Sequence, residues 1–198
     1  MLLPVLDAEQ RAPVGLFDLE HGIAVEGGMV GQITKSKAAP RPPITDPDTH
    51  PVVRLFNPIG ADGYGSDTNL GLVGLIDDST TGAGYGTLFG SVQPFNRPAT
   101  LVGPGTTKGS GKCTLWLEGG LFITDRFAAT IDANTHVGTE LRSIAGVLSD
   151  VNDSSVVVGQ VIKVVTGGLG SISDLFGVIL PRVQPLPATT TLMLFKFK

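Results

Sequence analysis

The sequence predicts an all-β protein, a small β-barrel or β-sandwich with an extended N-terminal arm and long Gly/Pro-rich loops. Two observations predict it. Gly (27) and Pro (14) make up about a fifth of the 198 residues, and each one inside a helix costs roughly 1 to 3 kcal/mol. Short apolar runs rich in β-branched residues recur at intervals of roughly 8 to 15 residues, with turn residues between them. Charged residues are only 16%, where about 25% is usual for a soluble chain. Mean hydropathy is +0.25, yet no apolar run approaches the roughly 20 residues of a membrane helix. Such a chain is expected to hide much of its surface against other protein.

The elements follow in order. Residues 14–34 hold short apolar pieces cut by His21-Gly22 and Gly27-Gly28, the pattern of a small hairpin or meander. Residues 35–51 carry five prolines; proline fixes φ and removes a donor, so this segment reads as an extended arm or a solvated loop. The chain accordingly divides into an N-terminal hairpin and arm, 1–51, and a barrel or sandwich, 52–198, with long loops at 57–69 and 77–112. Strands are predicted at 52–56, 70–76, 113–118 and 121–127. Gly119-Gly120 between the last two suits a tight hairpin. In 140–151 a helix competes, but Gly146 and the serines favour strand. The β-branched run 156–166, the run 174–180 and the alternating 191–198 complete the set. In the last, Met193, Phe195 and Phe197 face one side, and Leu192, Leu194, Lys196 and Lys198 the other.

Function classes fall away one by one. A net charge of −4 and no basic patch speak against nucleic acid. The N-terminus lacks a basic region before its apolar residues and carries Pro4, which makes a poor signal peptide. A single cysteine, Cys113, excludes an internal disulfide framework; it is a free thiol or one end of an intermolecular bridge. The run GPGTTKGSGKCT (103–114) misses the phosphate-loop spacing at both ends, with Cys113 where a hydroxyl is needed and Thr106 where the first glycine belongs. His21, His50 and His136 have no second ligand at i+2 or i+4. Asp62, Asp67, Asp77, Asp78, Asp150 and Asp153 sit where turns call for Asp, and none has calcium-loop spacing. No catalytic, cofactor-binding or metal-binding residue is assigned, and no cofactor. An enzyme would require His136, Asp125 and Arg126 to converge in a pocket.

The segments Gly120–Phe127, Val137–Leu141, Ala145–Leu148, Val158–Val161 and Leu192–Phe197 together resemble the small cement, or decoration, proteins on the capsids of tailed bacteriophages. The resemblance covers roughly residues 115–198, with an echo at HGIAVEGGMVGQI near the start. It implies a non-enzymatic subunit on the virion surface that bridges capsomers. The partners it implies are the major capsid protein and neighbouring copies of the chain, as a homo-oligomer such as a trimer, with no nucleic acid and no membrane.

Composition leaves two other classes open. One is a different virion part, such as a tail, baseplate or fibre-anchoring subunit. The other is a carbohydrate-binding β-sandwich, which presents a row of exposed aromatics; Trp116, between Leu115 and Leu117, reads instead as core or interface. Contact candidates are Arg41, Tyr64, Tyr85 and Phe95, because aromatic and Arg side chains dominate interface energetics.

Overall fold

The computed structural model describes residues 2–5, 14–19, 25–34, 52–57, 72–77, 112–153, 155–166, 176–177 and 191–198. Among the described residues there are eleven strands and the fold is nearly all-β, as the Gly and Pro density predicts. They are β1 (Leu2–Pro4), β2 (Val14–Leu19), β3 (Val30–Thr34), β4 (Val52–Leu55), β5 (Val73–Ile76) and β6 (Lys112–Trp116). The remainder are β7 (Gly120–Thr124), β8 (Glu140–Ile144), β9 (Val147–Ser149), β10 (Gly159–Thr166) and β11 (Thr191–Phe197). They form a closed barrel, β2-β4-β3-β5-β6, and a six-stranded sheet, β1-β7-β11-β10-β8-β9.

Each assembly is a compact unit of its own. The boundary expected at residue 51 is not where the chain divides. β2 and β3, from the first fifty residues, share the barrel with β4, β5 and β6, while β1 joins the sheet of the C-terminal strands.

A closed ring of five strands cannot alternate direction all the way round, so at least one neighbouring pair must be parallel. That pair is β2 and β4, with Asp18 opposite Val52 and Leu19 opposite Val53. β4 therefore lies between β2 and β3, and residues 14–34 do not form the hairpin their sequence suggests. Val25, Val53, Ile76 and Leu115 make the barrel core, with Phe17, Met29, Ile33, Leu55 and Leu117 packed against it. Five strands enclose little volume, since about eight are needed before side chains comfortably fill an interior. Gly31 answers that constraint, because a Cβ there would stand 2.9 Å from Val53 Cγ1 and 3.1 Å from Ile76 Cγ1. The alternate positions Val30, Gln32, Arg54, Leu75 and Trp116 are buried as well, so this wall is covered on both faces. Arg54 lies opposite Gln32 in the ladder and donates from Nε and Nη2 to its Oε1, at 3.2 and 3.0 Å. A guanidinium tolerates burial only with such partners.

In the sheet every pairing is antiparallel, and β11 runs between β7 and β10. Leu192 to Phe195 are all buried because both faces of this half of the strand are covered; beyond them Lys196 and Lys198 are exposed and Phe197 is buried. Phe122 and Phe195 pack as a tilted pair with centroids 6.2 Å apart. β10 carries a bulge between Val161 and Lys163, which shifts its alternation so that Val161 and then Val164 face inward.

Two local expectations need correction. Gly119-Gly120 is not a hairpin turn, since β6 belongs to the barrel and β7 to the sheet. Gly119 is required for close approach instead: a Cβ there would lie 2.3 Å from the Lys198 carbonyl carbon. Phe176 and Gly177, the described part of 174–180, are not in a strand, and Gly177 has φ +64°. The preference for strand over helix in 140–151 agrees with the hairpin β8–β9. Its turn residues Ala145 and Gly146 both have positive φ, 49° and 84°, which matches the twist of a two-residue connection.

Candidate functional site

Among the described residues, one well-ordered surface feature is the pair of loops that follow β7 and β9. The first, residues 125–139, holds its shape through its own polar groups. The Asp132 carboxylate accepts from the Asn134 backbone N–H at 2.8 Å, and the Asp132 N–H donates to Thr135 Oγ1 at 2.9 Å. Thr139 Oγ1 donates to the His136 carbonyl at 2.8 Å. These are the local bonds by which Asp and Thr replace a backbone ladder in a turn. Ile131 anchors the loop to the core at 2% exposure. At its end, the Gly138 N–H donates to the Val161 carbonyl at 2.8 Å, and the Val161 N–H donates to the Thr139 carbonyl at 2.9 Å. Thr130 Oγ1 donates to the Asp150 carboxylate and so ties this loop to the one after β9.

The second loop is clamped from β8. Arg142, 8% exposed, donates from Nε to the Ser155 carbonyl at 3.1 Å and from Nη2 to Glu140 Oε2 at 2.8 Å. Its Nε also lies 3.8 Å from Asp153 Oδ1, which accepts the Ser155 N–H at 2.9 Å. The Ser155 side chain, the backbone N–H groups and the Arg142 charge together hold the Asp153 carboxyl below its ordinary range, against the opposing effect of burial.

On this fixed frame two valines stand exposed among polar neighbours such as Asp132, Asn134 and His136. Val137 is 78% exposed and Val151 47%. A valine held out in water by an ordered loop does no chemistry. It is apolar area open to contact, with little conformational entropy left to lose on contact.

The contact candidates Arg41, Tyr64, Tyr85 and Phe95 lie outside the described residues, as does the arm 35–51. So do the loops 57–69 and 77–112, apart from Asn57, Asp77 and Lys112. Trp116 is 6% exposed, core rather than platform, and its Nε1 donates to Asp77 Oδ1 at 3.0 Å. Burial pushes the Asp77 carboxyl up, opposed by that hydrogen bond. Cys113 falls on β6 opposite Phe17. Asp125 and Arg126 pair with each other at 3.8 Å, and His136 lies in the exposed loop. Among the described residues no group of three or more His, Cys, Asp or Glu side chains is placed to hold a metal ion.

The sequence reading missed Val137, Arg142 and the ordered loop. The signal for the loop was present: Asp132-x-Asn134-Thr135 followed by Gly138 is turn chemistry at Asx spacing. The exposure of Val137 has no sequence signal, because it depends on which neighbours the sheet brings near. Comparison with protein-family models, with curated proteins and with solved structures gave no match for this chain.

Proposed function

We propose that the chain is a structural virion protein, a capsid cement subunit that binds the outside of an assembled shell and stabilises it by bridging capsomers. Its partners in this reading are the major capsid protein and neighbouring copies of the chain. The observation that carries the reading is the ordered, outward-facing loop 125–139 with Val137 at 78% exposure. The low charge and positive mean hydropathy support it, since both suit a surface that is covered in use. So does the resemblance, whose residues 120–127, 137–141, 145–148, 158–161 and 192–197 belong to one sheet and its loops rather than being scattered between units.

A subunit that binds only the assembled lattice stabilises it by mass action, by about 2.7 kcal/mol per site when its free concentration is a hundred times its Kd. Burying an exposed valine contributes roughly 1.5 kcal/mol or more to such a contact. The test is thermal challenge of particles with and without the protein, with Val137→Asp as a third sample. Particles carrying the parent chain disassemble at higher temperature, and Val137→Asp is retained less well. Equal disassembly temperatures, with the protein bound in one sample and absent in the other, would sink the reading.

A further inference from the structure

A second surface feature, away from Val137, lies on the strands themselves. The ladder sets Lys196 of β11 opposite Gln160 of β10, and Gln160 opposite Glu140 of β8. Residues opposite one another in a sheet project from the same face, so the three form one row across three strands. Lys198 follows two positions after Lys196 and falls on the same side. Together with Val157, Gly159 and Phe197 these residues line a hollow of about 370 Å³.

The backbone beneath the lysines is tightly held. A Cβ on Gly159 would stand 2.6 Å from the Lys196 carbonyl oxygen, and one on Gly119 2.3 Å from the Lys198 carbonyl carbon. The Lys198 N–H donates to the Val158 carbonyl at 3.1 Å. Both lysines are exposed, and among the described residues no carboxylate side chain is ion-paired with either. The one acidic side chain in the hollow, Glu140, is engaged by Arg142 at 2.8 Å. Among the described residues the hollow therefore presents two ammonium groups with no side-chain carboxylate paired to either, their Cα atoms about 7 Å apart, with the Gln160 amide beside them.

The geometry points to a binding site for carboxylates of a partner polypeptide, an acidic peptide segment laid across β10 and β11. Lys196 and Lys198 each take a carboxylate, and Gln160 Nε2 donates to the nearer one. This stands whether or not the chain coats a shell, because it rests on the row of side chains and not on the exposed loop.

The probe is a capped hexaglutamate peptide, titrated into isotope-labelled protein at low salt while backbone amide signals are followed. Saturable shifts are expected at Gln160, Lys196 and Phe197. They are expected to be absent with hexalysine and to weaken steeply in 0.3 M salt, where charges are screened within several Å. The double variant Lys196→Gln/Lys198→Gln binds about tenfold or more weakly, whereas Lys163→Gln, an exposed lysine elsewhere on β10, binds as the parent does. Thermal melts confirm that both variants remain folded. Absence of shifts at the hollow, equal shifts with hexalysine, or undiminished binding by the double variant would each overturn the assignment. If the double variant fails to fold, the salt and hexalysine arms on the parent protein decide alone.

Discussion

Replacing Ala145 by Asn should make the protein more stable. Ala145 and Gly146 form the two-residue turn of the β8–β9 hairpin with φ of 49° and 84°. Glycine takes such angles freely; an alanine pays roughly 1 kcal/mol because its Cβ approaches the following carbonyl. Asn tolerates the left-handed region, and Asn-Gly is the preferred pair for this turn. The side chain at 145 points into solvent, so nothing need move to admit a larger residue. Ala145→Asn should therefore stabilise by about 0.5 to 1 kcal/mol. Ala145→Gly relieves the same strain but frees the unfolded chain by roughly 0.4 to 1 kcal/mol, so its gain is smaller or nil. Ala145→Val, β-branched, should destabilise. For a unit of some 60 to 100 residues, 1 kcal/mol corresponds to about 4 to 8 °C in Tm. Urea unfolding measures the global change, and hydrogen exchange of the amides of Ile144 and Val147, the hydrogen-bonded pair beside the turn, reports the hairpin itself. The expected order is Asn above Gly, Gly at or above Ala, and Val last. Val equal to Ala, or Asn below it, would refute the left-handed turn.

Further predictions concern single sites. Gly119→Ala drives a Cβ against three backbone atoms of Phe197 and Lys198 at 2.3 to 2.8 Å, and should cost about 3 kcal/mol. Gly138→Ala, with φ +86° but nothing within 4 Å, should cost only about 1 kcal/mol, and equal losses in a thermal melt would contradict the close approach at Gly119. Asp77 holds its proton more tightly folded than unfolded, its pKa being raised from 3.8 chiefly by burial. Its contribution to stability is complete below that value and lost as pH rises through the raised one. Asp77→Asn keeps an acceptor for Trp116, so urea midpoints between pH 4 and 8 should fall less with rising pH than in the parent. An unchanged slope would show that Asp77 is not the cause. Asp153, lowered, acts oppositely: its contribution is present above 3.8 and lost as pH falls through the depressed value.

Strand positions were largely legible because they are local properties. The runs at 52–56, 121–127, 156–166 and 191–198 each contain a strand, and Gly146 with the serines told strand from helix in 140–151. Pairing was not legible, because it joins residues far apart. Nothing near Val14 announces that β2 lies between β4 and β6, or that an odd ring demands one parallel neighbour. Gly119-Gly120 shows how a correct residue preference yields a wrong inference: glycine marks both a tight turn and a close backbone approach, and only the position of Lys198 tells which. The bulge after Val161 is invisible to a strict two-residue alternation for the same reason. As for function, apolar excess suggested a covered surface, but which side chains stand exposed is set by tertiary neighbours, and so Val137 and the Lys196–Gln160–Glu140 row appear only in three dimensions.

The placement of β11 has a consequence for how the molecule is made. Strands leave the ribosome in sequence order, and the barrel has all of its strands once Trp116 has emerged. The sheet is different: its first strand, β1, waits for β7, with Leu2 opposite Thr124. β7 and β10 cannot be joined until β11, the last strand, arrives between them. Contacts between such distant segments form slowly, because the closure of long loops precedes any reward. During synthesis the nascent chain should thus carry a closed barrel while the apolar faces of β1, β7 and β10 still lack their central partner. That interval is when the molecule is most exposed to mispairing between chains, and faster translation of the codons between β10 and β11 shortens it.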